Sequence, residues 1–159
     1  MRKIKRTPCG QALSDLMLDM FRLTSAILAA GDRLTAPLGL TSARWQVLGT
    51  IVRLEDAQPV ASLARHMDAN RQNVQRIIND MHKEGFVTFA ANPSHRRAQL
   101  VVLTDKGREA YEAAMRLQAP WVNHLGSALA LEDLQTMHQV VLALRETLAQ
   151  GEQCGPKQA

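Results

Sequence analysis

Asn70-Arg-Gln-Asn-Val-Gln-Arg-Ile-Ile-Asn-Asp-Met-His-Lys-Glu-Gly85 begins with a residue suited to capping a helix and ends with one suited to stopping it. Between them Val74, Ile77, Ile78 and Met81 recur at i, i+3, i+4 and i+7, which makes one buried stripe. At 100° per residue Gln72, Gln75, Arg76, Asn79 and Lys83 cover the opposite face, and Arg71 and Asn73 flank its N-terminal end. The spacing predicts a helix over 71–84 whose outer face is rich in hydrogen-bond donors and has one nearby acid, Asp80.

The neighbouring segments give that helix its context. Upstream, Val60 to Met67 reads as a short helix with Leu63 and Met67 on one face. A turn of about four residues, Asp68 to Arg71, then fits a helix-turn-helix. Downstream the periodicity changes. Phe86 to Ala91 and Ala98 to Leu103 are rich in β-branched and aromatic residues, and Asn92-Pro-Ser-His-Arg-Arg97 lies between them. That pattern predicts a β-hairpin with a basic tip.

Farther out the chain reads as helix. From Gly10 to Ala36, Leu13, Met17, Met20, Thr24, Ile27 and Leu34 mark an apolar seam that Pro37 and Gly39 end. Thr41 or Ser42 can cap a second helix, Ala43 to Leu54, with Trp45, Leu48, Ile51 and Val52 inward; Gln58-Pro59 reads as a break. Thr104 can cap a long helix from Asp105 to Leu129, which Pro120 should kink or divide. A last helix runs from Leu131 to Ala149 with Leu134, Met137, Val141, Leu144 and Leu148 spaced three, four, three, four. The expected fold is mostly α with a small hairpin wing. A winged helix-turn-helix at 38–108 sits between helical dimerisation segments at 10–37 and 109–150, with flexible tails at 1–9 and 151–159.

Composition agrees with this. The chain has 159 residues, 46% hydrophobic and 4% aromatic, enough for one real core and too apolar for a disordered chain. No apolar stretch approaches the roughly 18 residues that span a bilayer, and no signal-peptide core follows the basic N-terminus, so a cytoplasmic, membrane-free protein is expected. Cys9 and Cys154 lie at opposite ends, and the five histidines form no short metal-ligand cluster, so neither a disulfide framework nor a metal or cofactor site is expected. Net charge is +4, unevenly spread. Residues 60–108 hold eight Lys/Arg against four Asp/Glu, and residues 109–159 hold three against six. A basic middle on a more acidic scaffold suits a nucleic-acid face.

The candidate DNA-reading residues are Asn70, Arg71, Gln72, Asn73, Gln75, Arg76 and Asn79 on the helix, and His95, Arg96 and Arg97 on the wing. Arg can pair with guanine, and Asn or Gln with adenine, by two hydrogen bonds each in the major groove. Arginines on a loop suit the narrow, electronegative minor groove. The terminal helices can pack on their own domain or on a second copy, and their heptad-like spacing favours the second copy. Two copies would read a near-palindromic site with half-sites roughly 10 base pairs apart.

The same residues carry a family resemblance. Leu38-Gly-Leu-Thr-Ser-Ala-Arg-Trp-Gln-Val-Leu48, Val60-Ala-Ser-Leu-Ala-Arg-His-Met67, Asn70 to Val87, and Asn92 to Arg97 followed by Leu103-Thr-Asp-Lys-Gly107 resemble the winged-helix domain of MarR (multiple antibiotic resistance regulator) proteins. The resemblance implies a homodimer intertwined through its terminal helices. It also implies a repressor of transcription released by a small phenolic or lipophilic effector, and Arg97 as the minor-groove arginine. Met20, Phe21, Trp45 and Tyr111, with Arg44 as an anion anchor, are the candidate effector pocket; plain core packing is the competing reading of each. His95 stands where the family often has an acid that holds a wing arginine. Some members sense oxidants through a cysteine near the start of the first helix, which makes Cys9 a second candidate switch.

Two readings from outside this class compete. An enzyme would need a phosphate loop, a His-Glu-x-x-His, a Gly-x-Ser-x-Gly or paired carboxylates near a histidine, and the chain has none in a recognisable pattern. A winged helix used for protein contacts would need an apolar or acidic recognition face.

Overall fold

The computed structural model describes residues 5–95 and 97–153, with side chains through Gly151. In chain order the elements are α1 (Pro8–Thr35), a short 3-10 turn (Ala36–Leu38), α2 (Ser42–Leu54), β1 (Gln58–Pro59), α3 (Val60–His66), α4 (Arg71–Lys83), β2 (Val87–Ala90), β3 (Leu100–Leu103), α5 (Asp105–Gly126) and α6 (Leu131–Gln153). Residues to Gln118 make one compact unit, and those from Ala119 a second.

Local chemistry explains the first unit's elements. Thr7 Oγ1 accepts from the Gly10 amide at 3.0 Å and Thr41 Oγ1 from the Arg44 amide at 3.3 Å, capping α1 and α2. Asn70 Oδ1 accepts from the Gln72 and Asn73 amides at 2.8 and 3.3 Å, so α4 starts where the sequence places it. Asp68, in the turn before it, has a φ of 47°, a left-handed conformation that Asp tolerates better than most residues. Gly85, at φ 79°, ends α4. The Gly85 amide donates to the His82 carbonyl at 3.0 Å and the Phe86 amide to the Met81 carbonyl at 2.9 Å, the paired bonds of a Schellman stop.

The core belongs to the winged-helix segment. Val47, Leu48, Leu63, Val74, Ile78, Met81, Val87 and Val101 are fully buried, and the whole α4 stripe of Val74, Ile77, Ile78 and Met81 faces inward. The sheet has three strands in the order β1-β3-β2, all antiparallel, with Gln58 opposite Val101 and Phe89 also opposite Val101. Gln58-Pro59 is therefore an edge strand where the sequence suggests a break. Two residues are too few for a period of two to show, and proline is tolerated on an edge strand because no ladder bond is lost on its outer side.

Three further boundaries differ from expectation. The hairpin strands are shorter, 87–90 and 100–103, because Asn92 and Ala98 enter the turn. Helix α5 runs undivided through Pro120, whose missing amide removes one bond of the ladder, and ends at Gly126 where the sequence suggests Leu129. Helix α6 reaches Gln153, so residues 151–153 are helical where a loose tail is expected.

Two close approaches fix how elements meet in the first unit. Gly31 of α1 is buried against Ser42, and a Cβ there would stand 2.5 Å from Ser42 Oγ. Ser42 Oγ donates to the Leu28 carbonyl at 2.7 Å, and the Ser42 amide donates to Asp32 Oδ1 at 2.6 Å, so an α1 carboxylate helps cap α2. At the other end of the unit, Thr104 Oγ1 lies 2.6 Å from the Gly85 carbonyl oxygen and accepts from the Gly107 amide at 3.0 Å. This ties the end of α4 to the start of α5.

Outside that core the terminal helices are open. In α1 only Gly31 and Thr35 are buried, and Leu16, Met17, Leu18, Phe21, Leu23, Ile27 and Leu28 are exposed. In the second unit Val122, Leu125, Leu131, Leu134, Met137, Val140 and Leu148 are exposed, and none of the described α6 side chains is buried.

Candidate nucleic-acid interface

Burying four apolar residues on one face of α4 turns the polar ones outward. Arg71, Gln72, Asn73, Arg76, Asn79 and Lys83 are exposed and Gln75 is half-buried. Gln75 Nε2 donates to Asn79 Oδ1 at 2.9 Å, and Arg76 Nη2 donates to Asn73 Oδ1 at 3.1 Å. The face is therefore a set of paired side chains that leaves free donors and acceptors, as base edges require. Asp80 is drawn to Lys83 at 3.7 Å. Asn70's side-chain oxygen caps the helix, as its position before Arg71 suggests.

The wing lies in the same unit. Strands β2 and β3 carry the 91–99 loop, in which His95 and Arg97 are exposed. Among the described residues Arg97's side chain has no hydrogen bond or ion pair. Arg96 lies outside the described residues. His82 near the end of α4 meets the Val87 carbonyl through Nδ1 at 3.0 Å, and its ring sits edge-on to Phe89 at 5.0 Å. The hairpin's first strand is thus tied to the helix that precedes it.

The candidate effector residues fare less uniformly. Met20, Trp45 and Tyr111 are half-buried, and Trp45 and Tyr111 pack against the core. Phe21, expected inward, is 65% exposed, because it falls on the outward face of α1. Arg44 is already engaged: it donates to both carboxylate oxygens of Glu84 and, at 3.0 Å, to the Gly39 carbonyl. None of the five lines the cavity of about 280 Å³ formed by Ile51, Val52, Glu55, Ala57, Val101, Val102, Leu103 and Arg108. Cys9 is exposed in the first turn of α1, and Cys154 lies outside the described residues. Among the described residues there is no cluster of potential metal ligands, and no helix is long and apolar enough to cross a membrane.

Sequence reasoning gives no role to Glu84, Asn92 or Lys106. Lys106 Nζ donates to the Glu84 carbonyl at 2.6 Å and stands 4.5 Å from the centre of the Phe86 ring. Asn92 followed by proline does signal a turn, but nothing in the sequence says where its amide reaches.

A short helix, a tight turn, a helix with a polar outer face and a hairpin wing define a winged helix-turn-helix. Residues 38–98 match the MarR family model. A Mycobacterium tuberculosis protein, Rv2011c, is 31% identical over 137 residues, spanning 84% of this chain and 94% of its own. The chain belongs to the MarR family of transcription regulators. The transcriptional activatory protein BadR of Rhodopseudomonas palustris is 28% identical, over 81% of this chain and 76% of its own. Among solved structures, the MarR family transcription regulator SP03579 superposes with a TM-score of 0.78 at 22% identity, covering 90% and 94% of the two chains. The organohalide-sensing regulator RdhR-CbdbA1625 in its 2,4-dichlorophenol-bound form gives 0.79 at 15% identity, covering 92% and 88%. A mutant MarR from E. coli complexed with operator DNA gives 0.69 at 22% identity, covering 82% and 96%.

Proposed function

We propose that this protein is a sequence-specific DNA-binding regulator that acts as a homodimer. The outer face of α4 carries the proposal: exposed Arg71, Gln72, Asn73, Arg76 and Asn79 opposite a buried apolar stripe, with the Arg97 wing in the same unit. In this reading α4 enters the major groove, with Gln75 and Asn79 reading bases as a pair, and the wing takes the adjacent minor groove. Likeness to a MarR solved with operator DNA supports it.

The second copy follows from the exposed apolar side chains of α1 in the first unit and α6 in the second, which a stable monomer would not leave in water. The dimer sets two α4 helices against a near-palindromic operator, with half-sites roughly one helical turn apart. Where that operator overlaps the promoter, the bound dimer excludes polymerase, and on this reading the protein is a repressor released by a small phenolic or lipophilic effector. The phenol-bound relative supports that effector class. Release requires the effector to bind the DNA-incompetent arrangement more tightly than the competent one.

The test uses the purified protein and a labelled duplex spanning the promoter of its own gene. The logarithm of the affinity should fall steeply and linearly with log salt, and 2,4-dichlorophenol or an aromatic carboxylate should raise the melting temperature and release the duplex. No binding to any duplex at low ionic strength ends the DNA reading. Binding that no such compound reverses ends the effector reading alone.

A further inference from the structure

We propose that Asn92 is the positioning residue of the wing: its carboxamide closes the 92–98 loop and fixes where Arg97 meets DNA. The proposal rests on the DNA-binding reading above and adds how that contact is held in place.

Asn92 is half-buried just beyond the end of β2. Its Nδ2 donates across the loop to the Ala98 carbonyl at 2.8 Å. Its Oδ1 accepts from the Ser94 amide at 3.0 Å and the His95 amide at 3.2 Å. The His95 amide also lies 3.3 Å from the Asn92 carbonyl oxygen, and the Ala98 amide donates to the His95 carbonyl at 3.1 Å. One side chain therefore binds the loop's apex and its far end together. A primary amide suits the task because it offers a donor and an acceptor at once; a carboxylate could accept but not donate, and a hydroxyl is too short to span the loop. Pro93 supports it by fixing one φ and removing a competing amide.

The far anchor explains the consequence. Ala98, whose carbonyl Asn92 holds, directly follows Arg97. Arg97's side chain has no partner among the described residues, and 91–99 contains no Asp or Glu that could hold it. What the structure fixes is therefore the point at which the Arg97 side chain leaves the loop, and Asn92 supplies three of the hydrogen bonds that hold the loop there. A neutral brace has a second effect. An acid holding the arginine would offset its charge, whereas an amide holding the backbone leaves the full charge for the phosphate-lined groove. Ordering the loop before binding also removes an entropy term that a slack loop would lose on the DNA.

The experiment is a double-mutant cycle: Asn92→Ala, Arg97→Ala and both together, titrated against the promoter duplex by fluorescence anisotropy, with circular dichroism melts and gel filtration as controls. We expect each single variant to lower affinity about tenfold, and the double variant to fall no more than about twofold below Arg97→Ala, because the brace has nothing left to position. An unchanged Asn92→Ala affinity overturns the proposal. So does the same fold-loss from Asn92→Ala with and without Arg97, since that describes a loop residue of general structural value. If Arg97→Ala loses affinity while Asn92→Ala does not, this proposal falls and the DNA reading of the wing stands. If Arg97→Ala loses nothing, the wing reading falls and takes this one with it. Asn92→Ser, which keeps an acceptor for Ser94 but cannot reach Ala98, should lie between wild type and alanine, and it carries the cycle if the alanine variant melts early.

Discussion

Arg44, in the first turn of α2, grips the carboxylate of Glu84, the residue that caps the end of α4, with Nη2 at 2.6 Å from Oε1 and Nη1 at 2.9 Å from Oε2. The planar fork of arginine matches both oxygens, which lysine cannot do. Lys106 holds the Glu84 carbonyl from α5, so residues of two other helices converge on the end of α4. Glu84 is 44% exposed, so screening keeps the pair weak. We expect Arg44→Ala to lower stability by about 1 kcal/mol in urea unfolding, with Arg44→Lys recovering less than half. A coupling near zero in the Arg44→Ala, Glu84→Ala cycle would mean that the pair does not restrain α4.

Gly107 is where the chain has least room. A Cβ there would stand 2.0 Å from the Phe86 carbonyl oxygen, which is backbone and cannot rotate away. Gly107→Ala should therefore cost roughly 1–3 kcal/mol or more, the range of overpacked sites where backbone must move. Gly126 is a control on the same helix, since a Cβ there would meet nothing within 4 Å. Gly126→Ala should leave the melting temperature unchanged or raise it slightly. Equal effects from the two substitutions would contradict the packing at Thr104 and Gly107.

What the sequence disclosed and what it hid follow from the range of the forces involved. The α4 stripe, the Asn70 cap and the Gly85 stop act within a few residues, so spacing and residue type reveal them. The β1 pairing of Gln58 with Val101 and the Arg44–Glu84 pair join residues some 40 apart, and no local pattern encodes them. Phe21, 65% exposed in the single chain, is ambiguous in the sequence for a related reason. An apolar helix face looks the same in sequence whether its partner is its own domain or another molecule. Asn92 lies between these cases: its turn is legible, its reach to Ala98 is not.

The exposed apolar side of α1 yields a direct prediction on assembly. Met17 and Phe21, at i and i+4, are 43% and 65% exposed. A charge there meets water in a monomer and an apolar partner in a dimer. Phe21→Asp should leave the helical circular dichroism signal intact, shift gel filtration toward the monomer, and weaken promoter binding at least tenfold through loss of the paired half-sites. Retention of the dimer would place the seam elsewhere.

The α4 face separates into positions with different signatures. Arg76 is tethered to Asn73 at 3.1 Å, and in the proposed complex it would meet a base while Arg71, at the helix start, would meet phosphate. Arg71→Ala should weaken binding similarly for all duplexes and lower the log-log salt slope by about one. Arg76→Ala should cost about 1–3 kcal/mol on the preferred site and relax the preference at one base pair. Affinity measured over single-base operator variants distinguishes the two. Identical behaviour of both variants would mean that α4 does not read sequence through Arg76.

His95 provides the sharpest test of how the wing is held, because it stands where the family resemblance leads one to expect an acid. If Arg97 needed a carboxylate to orient it, His95→Asp would supply one and raise affinity. With Asn92 already fixing the loop through Ser94, His95 and Ala98, the new acid has no positioning left to do. It would instead add a negative charge beside the phosphates and compete with them for the guanidinium. We therefore expect His95→Asp to lower promoter affinity several-fold at low salt, by less at high salt where the added charge is screened. In an Asn92→Ala background the same substitution should be less harmful, because an acid can then replace the lost brace. A gain in affinity from His95→Asp in the otherwise native protein would show that the amide alone leaves Arg97 loosely held.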